Sequence, residues 1–146
     1  MSKFMKTLNN ISRSQAIYRH SGISAKDLQG SHYAYALAIC REPGRSQEEL
    51  ARELCVNKST VARKLNYLEE KGYIFRQPMP TDRRQFAVYP TDKLLEILPE
   101  IREVSRQWMY LLSQGIPQDK LDVFHEVLEQ MERRARELVA TQEDSI

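Results

Sequence analysis

The chain has 146 residues, a length that fits one domain with an added oligomerisation element. Hydrophobic residues at 41% and charged residues at 29% exclude a disordered chain, and no run approaches the ~20 apolar residues of a membrane span. The formal charge of +2 conceals an asymmetry, because residues 55–93 hold eight Lys/Arg against four Asp/Glu while residues 118–146 hold four against eight. A basic middle and an acidic tail suggest a polyanion partner for part of the surface.

The first ten residues carry charge without a continuous apolar stretch, so no secretory signal is expected. Cys40 and Cys55 then read as reduced thiols of a cytoplasmic protein. Residues 4–24 show Phe4, Leu8, Ile11 and Tyr18 at 4-3 spacing with Gln15 in the missing step, which predicts a helix. Residues 32–42 are apolar most of the way round and predict a buried helix stopped by Pro43-Gly44.

Residues 46–72 are the most informative. Ser46 opens a capping box with Glu49, in which the hydroxyl accepts from the Glu49 N–H and the carboxylate reaches back. Leu50, Ala51 and Leu54 form the apolar stripe of a short helix. Asn57 is a strong N-cap for a second start, whose inward stripe is Val61, Leu65 and Leu68 and whose stop is Gly72. Two short helices joined by a tight turn make a helix-turn-helix.

After Gly72 the period changes. Residues 73–77 and 85–89 are aromatic and β-branched and predict two strands, with the charged, Pro-bearing stretch 78–84 as a hairpin tip: the wing of a winged helix. Two amphipathic helices follow. Thr91 or Asp92 caps the first, which carries Leu94, Ile97, Ile101, Val104, Trp108 and Leu111, with Pro99 inside it expected to kink it or remove one hydrogen bond. Gly115-Ile116-Pro117 separates it from the last helix, where Leu121, Phe124, Leu128, Met131, Ala135 and Leu138 recur at 3-4 spacing. Such a narrow seam suits packing against another helix at a shallow angle.

On the second helix of the helix-turn-helix, Ser59, Arg63 and Asn66 point away from the inward stripe, and Lys58 and Thr60 flank them in the first turn. A helix entering a major groove N-terminus first would bring these groups to base edges and phosphates, with Arg63 the foremost candidate and Asn66 the second. The competing reading is a solvated helix face, but acids are scarce there before Glu69. Arg83 and Arg84 on the hairpin tip suit a narrow minor groove, with Asp82 expected to hold and aim a guanidinium through a bidentate pair. The bland alternative is an exposed charged turn.

The order of these segments resembles the MarR family of dimeric winged-helix transcription regulators, above all in Ser46-x-x-Glu49-Leu50-Ala51, Asn57-Lys58-Ser59-Thr60-Val61, Leu68 to Ile74 and Asp82-Arg83-Arg84. Pro90 departs from the pattern, where an apolar residue is usual. The resemblance implies a mainly α fold with a small β-hairpin wing. It divides the chain into an N-terminal dimerisation helix over 1–30, a DNA-binding domain over 31–90 and C-terminal dimerisation helices over 91–146. It also implies that Arg84 enters a minor groove with Asp82 orienting it, and that a small, often phenolic ligand binds between the dimerisation helices and the winged domain. Tyr18, His20, His32, Tyr33 and Tyr35 are the candidates for that site, against the reading that tyrosines at helical spacing are core.

The expected function is a homodimeric regulator, a repressor by occlusion, binding a palindromic DNA operator with Asn57, Lys58, Ser59, Thr60, Arg63, Asn66, Asp82, Arg83 and Arg84. The alternative is a winged-helix module used only for protein contacts. No phosphate loop, nucleophile elbow or metalloprotease motif marks an enzyme, so no catalytic residue and no cofactor are expected. His20, His32 and His125 lie on separate segments without metal-ligand spacing, and Cys40 and Cys55 have no evident redox partner.

Overall fold

A computed structural model describes residues 2–144, with side chains through residue 141. Two compact units follow each other along the chain, the first through Trp108 and the second from Met109. The first holds α1 (Lys3–Gly22), α2 (His32–Arg41), β1 (Arg45–Ser46), α3 (Gln47–Leu54), α4 (Lys58–Glu70), β2 (Ile74–Pro78), β3 (Phe86–Pro90) and most of α5 (Asp92–Leu112). The second holds the end of α5 and α6 (Gln118–Asp144).

Local chemistry sets most of the helix ends. Ser2 caps α1 by accepting from the Met5 N–H. At α3, Ser46 Oγ accepts from the Glu49 N–H at 3.1 Å, as the capping box requires, but the Glu49 carboxylate binds the Ser46 hydroxyl at 3.2 Å. The expected return contact is with backbone; Ser46 is instead paired with Ala87 in the sheet and gives its hydroxyl to the carboxylate. α3 ends with Cys55 in the left-handed region at φ 54°, and the Val56 N–H closes back on Ala51 O. Glycine usually occupies that position, so Cys55 holds the helix-turn-helix corner under mild backbone strain.

Asn57 Oδ1 accepts from the Thr60 N–H at 2.8 Å and starts α4. Its stop is Gly72 at φ 83°, where the Tyr73 N–H reaches Leu68 O at 2.9 Å. Because Tyr73 completes that helix end, the ladder starts one residue later than the sequence suggests, at Ile74, and β3 shifts with it. Thr91 caps α5 through the Leu94 N–H, and the helix runs on through Pro99. The proline leaves the Leu95 carbonyl without its helical donor, and both residues face solvent, where water can serve instead.

The sheet is three-stranded and antiparallel in the order β1-β3-β2. Arg76 lies opposite Val88 and Phe75 opposite Tyr89, while the short β1, not anticipated from sequence, pairs Arg45 with Val88. One core joins α2, α3, α4, the sheet and α5: Tyr33, Ala36, Leu50, Val61, Leu65, Leu68, Ile74, Val88 and Ile101 are buried in it. The inward stripe of α4 is therefore as expected. In α5 the buried set is Leu94, Leu98, Ile101 and Val104, with Ile97 only half-buried.

Candidate nucleic-acid interface

Burial of Val61, Leu65 and Leu68 turns the opposite face of α4 outward, and Ser59, Arg63 and Asn66 are exposed there. Part of this face is internally tied. Ser59 donates its hydroxyl to Asn57 Oδ1 at 2.9 Å, so Asn57 and Ser59 first serve the helix cap. Arg63 Nη2 lies 3.4 Å from Thr60 Oγ1, one turn back, which draws the guanidinium toward the N-terminal end of the helix. Lys58 is 3.4 Å from Glu48 on α3.

Asn66 is held from the wing side. Arg76 on β2 donates to Asn66 Oδ1 at 2.6 Å, to Gln47 Oε1 at 2.8 Å and to both carboxylate oxygens of Glu69. This guanidinium therefore fastens α3, α4 and the wing together. The hydrogen bond from Arg76 holds the Glu69 carboxyl below its ordinary range, against a smaller opposing effect of burial. Strand alternation carried a signal for this residue: Arg76 shares a face with Ile74 and lies opposite buried Val88, a position where a cation needs partners.

At the wing tip Asp82 Oδ1 accepts from both the Arg84 N–H at 3.0 Å and Arg84 Nε at 3.4 Å. The expected bidentate pair is thus replaced by one oxygen in an Asx-type turn. With the two groups only two positions apart in sequence, the Arg84 backbone N–H takes the better bond. Arg83 is exposed, and the Arg84 side chain is 94% open to solvent. Arg84 and Lys58 line one groove of about 180 Å³ with Gln47, Val61 and Phe86, so the wing and the start of α4 share a surface. The acids around that surface are paired with cations: Glu48 with Lys58, Glu69 with Arg76 and Asp82 with Arg84.

The five residues singled out for a small ligand do not form one cluster. Tyr33 and Tyr35 are core residues; the Tyr33 hydroxyl donates to Leu28 O at 2.7 Å, and burial pushes both phenols up. His20 Nδ1 meets the same Leu28 carbonyl at 3.3 Å, and Tyr18 lies against Trp108 with centroids 5.3 Å apart. His32 faces elsewhere: its ring stacks on Tyr67 of α4 at 4.5 Å, and its Nδ1 accepts from the Gln29 N–H at 3.0 Å. It lines a cleft of about 350 Å³ with Gln29, Thr60, Arg63, Lys64 and Tyr67. Among the described residues no group of three His, Cys, Asp or Glu is placed to hold a metal, and no helix is long and apolar enough to cross a membrane.

Residues 26–85 match the MarR family. The crystal structure of MarR superposes with a TM-score of 0.79 at 32% identity, covering 92% of this chain and 94% of that one. The chain belongs to the MarR family. YybA of Bacillus subtilis (strain 168), an uncharacterized HTH-type transcriptional regulator, is 27% identical over 139 residues, covering 91% of each chain. A proposed transcriptional regulatory protein for the hcr operon of Thauera aromatica is 38% identical over 76 residues, which are 51% of this chain and 46% of that protein. This MarR-family chain is thus a winged-helix, DNA-binding regulator of transcription, with the β2–β3 hairpin as its wing.

Proposed function

We propose that two copies of the chain join through their outer helices and read a palindromic operator as a homodimer, repressing by occlusion. In this reading Ser59, Thr60, Arg63 and Asn66 face the major groove, Asn57 and Lys58 meet phosphate at the start of α4, and Arg83 and Arg84 enter the minor groove, with Asp82 restraining Arg84. The observation that carries it is the shared groove of Lys58 and Arg84, which puts a cation of the reading helix and a cation of the wing on one open surface.

Support for the dimer comes from the outer helices taken one by one. On α1, Phe4, Leu8 and Ile11 are exposed, and on α6, Phe124, Met131 and Leu138 are exposed. Apolar rows at 3-4 spacing match a second copy of the same helix, and a two-fold axis makes such a patch self-complementary. A small effector with a ring and an anionic group suits the cleft at His32, where Tyr67, Arg63 and Lys64 supply a ring face and two cations. An occupant there covers Arg63 and so competes with DNA.

The test is base discrimination at one position. Arg63→Ala should remove about 1–3 kcal/mol of preference at a single base pair per half-site and leave the others intact. A uniform loss across all positions would make Arg63 a phosphate contact instead.

A further inference from the structure

Residues 23–31, between α1 and α2, hydrogen-bond to four helices at once. His20 of α1 and Tyr33 of α2 both meet Leu28 O. The Ser24 N–H and hydroxyl each bind the Glu100 carboxylate of α5 at 2.8 Å. Asp27, three residues on, takes the far end of the reading helix: its backbone carbonyl accepts from the Tyr67 hydroxyl at 2.6 Å, and its carboxylate accepts from the Tyr73 hydroxyl. Tyr67 lies in the last turns of α4 and Tyr73 just past Gly72, so two phenols pin the C-terminal end of the reading helix to one residue.

Neither phenol contact is incidental. Tyr73 is 2% exposed, and a buried hydroxyl without a partner is costly. Burial first, and the bond to Asp27 next, push the Tyr73 phenol well up, so it stays a donor across the working range. Lys93 sits 4.3 Å from the Tyr73 ring centroid and donates to Lys71 O, which restrains the ring from the other side. The carboxylate therefore meets a fixed donor, and a bond to an ionised acceptor is strong and directional.

We propose that Asp27 is a positioning residue for DNA recognition, fixing the tilt of α4 against α1 and the Glu100 stretch of α5, and so the half-site spacing that the protein accepts. The proposal rests on the dimer reading above, because spacing has meaning only for paired heads. Asp27 touches no DNA in this account and acts through Tyr67 and Tyr73.

The experiment uses the full chain and a set of duplexes whose half-sites are moved apart or together by one and two base pairs, plus a duplex with a single half-site. The wild type should show a sharp optimum. Asp27→Ala and Tyr73→Phe should lower the ratio of best to neighbouring spacing by about tenfold, the worth of one charge-assisted hydrogen bond, with single-half-site affinity unchanged. Asp27→Asn, which keeps an acceptor without the charge, should restore part of the ratio. Should Asp27→Ala not fold, Tyr73→Phe removes one oxygen atom only and carries the test. Equal loss at every spacing, or an unchanged ratio, overturns the proposal and leaves the dimer standing. A wild type without any optimum overturns the dimer reading and the proposal with it.

Discussion

Between α2 and β3 the side chains that the helical and strand periods turn inward are covered: Tyr33, Leu50, Leu65 and Val88 are all 1% exposed or less. In α6 the same periodicity leaves Phe124 at 54%, Met131 at 43% and Leu138 at 68%, and α1 likewise buries no residue fully. The winged-helix head thus meets its hydrophobic demand locally, whereas α1 and α6 each carry apolar rows that are exposed among the described residues. At roughly 25 cal/mol per Å² such rows are a driving force for association. On the dimer reading, the head is a local construction and the outer helices are half of one.

That contrast breaks first at α6. Phe124→Glu combined with Met131→Glu should yield a monomer by sedimentation and lower operator affinity by about 100-fold or more, because the second half-site contact is no longer intramolecular. The urea midpoint of the head should hardly move. Retained dimers would place the association elsewhere. The reciprocal change, Leu65→Ala, should cost about 3 kcal/mol in urea unfolding through the cavity it leaves, without loosening a dimer held by α6. Smaller still is the surface change Arg84→Ala, which should weaken operator binding about tenfold and reduce the slope of log affinity against log salt by about one. An unchanged slope would remove Arg84 from the phosphate-facing surface.

The same local-versus-distant division governs what could be read from the sequence. Asn57 and Gly72 act on backbone within a few residues, so the limits of α4 were legible, as was the row Val61, Leu65 and Leu68. The wing and its arginines followed from alternation and a Pro-bearing turn. Contacts between residues far apart in sequence were not legible. β1 exists only because Arg45 meets Val88, and the Arg76 guanidinium gathers Gln47, Asn66 and Glu69 from two other elements. Asp27 falls between the two helices predicted over 4–24 and 32–42, and its contacts with Tyr67 and Tyr73 exist only in the folded chain. The Asp82–Arg84 contact was right in its partners and wrong in its geometry, since the backbone N–H of a tight turn competes for the carboxylate. Tyr33 and Tyr35, read for a ligand, are held in the core.

The smallest expected effect concerns His32, which belongs to the head but faces the cleft. Burial, with Lys64 second, lowers its pKa below the ordinary 6.5, partly opposed by Asp27. Its Nδ1 also accepts from the Gln29 N–H, so the neutral ring is the one that fits. The unfolded chain then binds the proton more readily, and stability falls as pH drops through about 6.5. The urea midpoint should be lower at about pH 5.5 than at about pH 7.5, and His32→Gln should shrink that difference. A difference of the same size in the variant would assign the pH dependence to other groups.

Selection of bound sequences from a random duplex pool tests the paired-head account most directly. An inverted repeat with half-site centres about 10 base pairs apart, or a multiple of that, is the expected winner. Recovery of one unsymmetrical motif, or of no enriched sequence at low salt, would contradict it.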